Sequence, residues 1–203
     1  MTEKDKKDKL LEKFIENCVF DGWNDECLKS SARQLGFENN YEKMLFPQGI
    51  RDLTLYFADA TEKKFLADAR DILSNQLKHK DKAKALMIHK LRLYRQNLKS
   101  AEGFKKFASY FFTPANALTG LKGVYNFADD SWKLMNDNSQ GFSFYTKRIS
   151  FGAIYSKAVL HVINDESDNL VDTENFIERK IDDLMKINKI KLKFNELLGK
   201  FKL

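Results

Sequence analysis

Proline is nearly absent from this 203-residue chain, at 2 residues, and glycine stands at only 9. So few turn-makers argue against an all-β chain, whose strand ends consume them. Histidine is scarce as well: His79, His89 and His161 sit in separate segments, and none follows a Glu by three residues. That removes the Glu-x-x-His pair of a di-iron bundle and the His-Glu-x-x-His of a zinc hydrolase. The sequence also lacks a Gly-rich phosphate loop and a Gly-x-Ser-x-Gly elbow. The expectation is a chain that is not an enzyme, with no catalytic residue, no metal ligand and no resident cofactor. Cys18 and Cys27 are the only cysteines; without a CxxC partner they read as two reduced thiols of a cytosol-like compartment. No apolar run is long enough to span a bilayer. The first residues, "MTEKDKKDKLLEKF", have the look of neither a signal nor a transit peptide.

What is abundant is apolar and aromatic. Hydrophobic residues make up 43% and charged residues 32%, with Phe at 17 against Trp at 2, a globular composition with an interior rich in flat rings. The formal charge is +6, yet Lys186 to Leu203 alone hold six Lys and one Glu, so the rest is nearly neutral. The basic character belongs to the tail, which weakens a nucleic-acid reading of the main fold.

Periodicity predicts helices throughout. Leu10, Leu11, Phe14, Ile15 and Cys18 recur at helical spacing up to Asp21-Gly22. Asn24 is the N-cap of a second helix carrying Cys27, Leu28, Ser31, Ala32 and Leu35, and Gly36 stops it in a left-handed conformation. A short segment, "ENNYEKMLF", precedes Pro47 and a longer helix from Ile50, giving a helix-turn-helix pattern. Interruptions fall around "KHKDK", at Pro114 and at Asn136 to Gly141. Phe144 to Ile163 predicts a helix buried on most sides, with Ile149, Phe151 and Tyr155 inward. "NDESDNLVD" reads as a loop whose acidic run, Asp165, Glu166 and Asp168, is solvated, and Asp172 or Thr173 caps the next helix. The fold class is all-α: a unit resembling a helix-turn-helix over 1–57, a helical core over 58–185 and a basic amphipathic tail over 186–203.

Three surfaces compete for a function. The second helix of the helix-turn-helix carries Glu38, Glu42 and a single Lys43, too acidic to read phosphate. In the tail, Ile187, Ile190, Phe194, Leu197, Leu198 and Phe201 interleave with Lys189 and Lys193, a pattern that fits either a core helix with a wet back or an interfacial membrane helix. Phe104, Phe107, Phe111, Phe112, Leu118, Leu121, Tyr125, Phe151 and Tyr155 fit either plain core or an apolar site for an acyl or isoprenoid chain.

Six fragments, in order, resemble the Coq-nine family of lipid-binding accessory proteins of ubiquinone biosynthesis: "GWNDECLKSSARQLGF", "FPQGIRDLTLYF", "TPAN", "DDSW", "FYTKRISFGAIY" and "DTENFIERKIDDLM". The resemblance implies a dimeric fold similar to TetR-type regulators with its DNA-reading role lost. It implies a bound phospholipid or isoprenoid, a membrane-docking C-terminal helix, and presentation of quinone intermediates to a di-iron or other ubiquinone-pathway hydroxylase. It also maps a partner-binding surface onto Asp129, Trp132, Phe144 and Tyr145, with Phe144 and Phe176 standing where relatives carry Trp. Taken with the absent transit peptide, it gives a homodimeric bacterial member, peripheral on the inner face of the cytoplasmic membrane, with nucleic acid not expected as a partner. The rival reading is a TetR-like ligand-responsive DNA-binding transcription regulator.

Overall fold

The computed structural model describes the backbone of residues 1–74 and 78–200, and the side chains of 1–74 and 78–186. Among the described residues it is all-α, as expected, with no strand. Helices α1 (Glu3–Asp21), α2 (Asp25–Gln34), α3 (Tyr41–Leu45), α4 (Ile50–Leu73) and α5 (His79–Asn97) are followed by α6 (Ala101–Phe111), α7 (Ala117–Leu134), α8 (Gly141–Val162) and α9 (Val171–Lys200). A short 3-10 turn, Asp168–Leu170, joins the last two. The chain forms two compact units: residues 1–70 with 90–121, and residues 71–89 with 122–203.

In the first unit local signals set the helix ends. Thr2 and Asp5 close a capping box on α1. The Asn24 side chain accepts from the Cys27 amide at 2.9 Å, starting α2 where the sequence places it. Gly49 is compelled twice: its φ is +58°, and a Cβ there would lie 2.1 Å from Asp25 Oδ1. That approach lets Asp25 accept from the Ile50 amide at 2.7 Å and cap α4 from another helix. The core is aromatic. Trp23 meets Phe14 and Phe107 edge-on, with centroids 4.8 and 5.1 Å away, while its indole N–H donates to Thr54 Oγ1 at 2.8 Å. Cys18 and Cys27 are free and buried among these groups. Desolvation pushes their thiols up to about 12 and about 11, so little thiolate forms and they behave as small apolar residues.

In the second unit, Phe127 of α7 packs against Phe151 and Tyr155 of α8, with centroids 5.4 and 4.5 Å away. Gly152 permits the crossing, since a Cβ there would come within 3.1 Å of Val124. Several expectations are corrected here. Helix α8 begins at Gly141 rather than Phe144 and is buried on one face only: Phe142, Tyr145, Ile149, Ala153, Ser156 and Leu160 are exposed. Ile149, expected inward, is 66% exposed. Apolar residues all round a helix do not say which stripe its neighbours cover. Asp165, expected in a solvated loop, is 3% exposed and accepts from the Thr173 amide and hydroxyl. It caps α9 with Ser167, whose Oγ accepts from the Asp172 amide, so the caps lie upstream of Asp172 and Thr173. With its hydroxyl donated to Asp165, Thr173 accepts from His161 Nδ1–H at 3.1 Å, and Phe176 stacks on that ring at 4.7 Å. His161 is thus a satisfied helix-end imidazole.

Candidate functional site

Helix α3 fits base reading poorly. It has five residues, Glu42 is buried, and Lys43 is its only cation. Among the described residues no helix is long and apolar enough to cross a membrane, and no group of His, Cys, Asp or Glu could hold a metal ion.

The aromatic and aliphatic set expected to form one interior is divided between buried and exposed positions. Phe104 and Phe107 are buried and Phe111 is half-buried in the first unit, whereas Phe151 and Tyr155 are buried in the second. Phe112, Leu118, Leu121 and Tyr125 are surface residues, exposed by 56, 80, 64 and 45%. The reason is helical. On α7 the buried stripe is Phe127, Ala128 and Ser131, and Leu118, Leu121 and Tyr125 share a different face. An open groove along α9 is lined by Phe176, Arg179, Lys180, Asp182, Asp183 and Lys186, walls suited to polar rather than prenyl groups. Of the tail residues, Ile187, Lys189, Ile190, Lys193, Phe194, Leu197 and Leu198 lie on the helical backbone of α9, with side chains outside the described residues. Phe201 lies outside the described residues altogether.

The second predicted set lies within one unit. Asp129, Trp132, Phe144 and Tyr145 all belong to the second unit, where Arg148 contacts Asp129 and Phe144. Its Nε donates to Asp129 Oδ1 at 2.6 Å, its Nη1 to Asp137 Oδ2 at 3.4 Å and to the Phe144 carbonyl at 3.2 Å. Its Cζ lies 3.4 Å from the centroid of the Phe144 ring. Lys147 donates to Asp137 Oδ1 at 2.6 Å and stands 5.1 Å from the Trp132 ring centroid. Phe144 and Tyr145 meet edge-on at 5.2 Å. Burial raises the Asp137 carboxyl, but hydrogen bonds from Lys147 and Ser139 outweigh it and hold the group at about 2. Lys133 and then Arg148 likewise hold Asp129 low.

On the same helix as Lys147 and Arg148 stand Phe142, Tyr145 and Ile149, exposed by 84, 59 and 66% and spaced i, i+3, i+7. The sequence places Phe142 and Arg148 at the helix entrance without joining them to the partner-binding set, expects Ile149 inward, and does not single out Asp137. The i, i+3, i+7 spacing was the available signal for Phe142 and Ile149; nothing in the chain order links Arg148 to Asp129, nineteen residues earlier. Ser131 is fully buried, so it contributes nothing to the exposed face.

Residues 117–188, which carry this whole site, match the COQ9 family model. Along most of the chain the similarity extends to named relatives. It is 24% identical over 200 residues to the probable ubiquinone biosynthesis protein coq9, mitochondrial, of Dictyostelium discoideum, covering 95% of this chain and 64% of that protein. It is 27% identical over 200 residues to the Schizosaccharomyces pombe ubiquinone biosynthesis protein coq9, mitochondrial, covering 98% and 77%. The human ubiquinone biosynthesis protein COQ9, mitochondrial, is 23% identical over 188 residues, covering 91% and 59%. These matches make the chain similar to the COQ9 family, strongly over residues 117–188 and more weakly along most of its length. The chain spans about three fifths to three quarters of the length of these relatives. The expected bacterial cytoplasmic location is corrected by these names, all of which are mitochondrial. That expectation leaned on the first residues, which do not decide location in a chain covering only part of its relatives.

Proposed function

We propose that this chain is a non-enzymatic accessory protein of ubiquinone biosynthesis. It binds an isoprenoid or phospholipid, works as a homodimer at a membrane surface, and presents a quinone intermediate to a hydroxylase. The observation that carries the reading is the exposed face of α8. Phe142, Tyr145 and Ile149 are exposed on the helix whose Lys147 and Arg148 are paired with Asp137 and Asp129. Isolated exposed apolar residues need no explanation, but three on one helical face, two of them aromatic, fit a surface that another protein covers. The family match supplies the pathway, since the relatives are named for ubiquinone biosynthesis. The basic amphipathic sequence of the tail supports membrane docking, each Lys near an anionic surface contributing about 1 kcal/mol.

The test is calorimetric titration of the full chain with the di-iron demethoxyubiquinone hydroxylase. Saturable binding that Tyr145→Ala weakens about tenfold or more, the usual loss when a hot-spot ring is truncated, supports the reading. Binding that is absent, or indifferent to Tyr145, overturns it.

A further inference from the structure

We infer that Arg148 is the positioning residue of this surface, fixing the first turn of α8 so that its rings stay uncovered; the inference rests on the docking reading above. Within the helix, that turn is held by the exposed Thr146 hydroxyl, which donates to the Phe142 and Ser143 carbonyls. Gln140, at the N-cap, makes no side-chain capping bond, and Gly141 enters the helix at φ +58°. Phe142 and Tyr145 are mostly in solvent, so packing cannot anchor it from outside.

Arg148 anchors it from beneath. Only 3% exposed, it joins three separate segments: α7 through Asp129, the loop after α7 through Asp137, and the opening turn of α8 through the Phe144 carbonyl. Its planar face also carries the Phe144 ring. A guanidinium does this with one rigid group, spreading donors in a fork while presenting a flat cationic surface. A lysine offers the same charge but neither the fork nor the plane. Lys147 answers Asp137 from the outer side, so Asp137 keeps a cation of its own.

Amide hydrogen exchange on the full chain tests this in Arg148→Lys. The first four amides of a helix lack intrahelical acceptors, so the reporters are the amides of residues 145–149. The expected result is exchange there about tenfold faster than in wild type, the size of one lost charge-assisted hydrogen bond. The amides of residues 171–185 should keep their rates, and affinity for the hydroxylase should fall by a similar factor. Unchanged exchange at 145–149 overturns the inference whether or not the hydroxylase binds. Uniform acceleration across α8 and α9 overturns it too, by making Arg148 a general structural residue. Should Arg148→Lys fail to fold, Phe144→Leu removes only the stacked ring and leaves every charge in place. Faster exchange confined to 145–149 again supports positioning, and none overturns it. Wild-type chain that never binds the hydroxylase sinks the docking reading alone.

Discussion

Replacing Asp137 by Asn removes its charge while keeping its shape, and turns one of its two accepting oxygens into a donor. The carboxyl sits at about 2 instead of its ordinary 3.8, and its side chain is 5% exposed. Each tenfold change in proton affinity is worth about 1.36 kcal/mol, so the folded state gains about 2 kcal/mol from keeping this group ionised. Because the folded value lies below the unfolded one, that contribution is complete above the unfolded value. It disappears as pH falls through the folded value. Asp137→Asn should therefore be about 2 kcal/mol less stable than wild type at pH 7 and at pH 5. The gap should shrink through pH 4 and 3 and close near pH 2. Urea unfolding followed by far-ultraviolet circular dichroism reads both proteins at each pH. A gap that stays constant down to pH 2, or a variant as stable as wild type at pH 7, would refute the assignment of Asp137 as an ionised, doubly paired carboxylate.

Tyr145→Ala, at a ring 59% exposed, should leave the melting temperature and the lipid content measured by organic extraction and mass spectrometry unchanged; loss of either returns Tyr145 to the core. Gly49→Ala should cost about 2–3 kcal/mol, combining left-handed strain with the displaced Asp25 cap, as read in a denaturant melt; a neutral substitution would discredit the approach of Asp25 to the Ile50 amide. Removing residues 186–203 should abolish flotation with vesicles containing anionic phosphatidylserine while leaving the helicity of the remainder intact, and flotation that persists rules out the tail as the membrane contact.

Local signals made the helices legible. Asn24 caps α2, Gly36 ends it with φ +73°, and Pro114 falls between α6 and α7, because each acts on backbone within a few residues. What the chain order conceals is any interaction closed across a turn or between helices. Asp165 caps α9 only because the chain reverses through positive φ at Asn169 and Leu170, bringing Thr173 back eight residues later. Asp25 caps α4 from twenty-five residues away. For the site, the family resemblance located Asp129, Trp132, Phe144 and Tyr145, and the structure does place them in one unit. For the expected interior set the limit is different. Helical spacing shows that Leu118, Leu121 and Tyr125 share a face but not how far that face is covered, and here all three are exposed.

The position of the charges explains why α8 can keep rings in solvent at all. An apolar layer beneath Phe142 and Tyr145 would reward their collapse onto it, since each buried methylene is worth about 0.8 kcal/mol. Where α7 and the loop after it meet the start of α8, the contact is instead the ion-paired group Arg148, Asp129, Asp137 and Lys147. Seating a ring among them would break charge-assisted bonds and strand a buried charge, which costs about 3–5 kcal/mol. Phe144 is the exception that fits, because its face accepts the guanidinium without displacing an ion pair. A buried ion pair is weak support for stability as such. On the docking reading proposed above, its use is to leave the rings without a seat among these charges, so that binding need not meet the cost of extracting them.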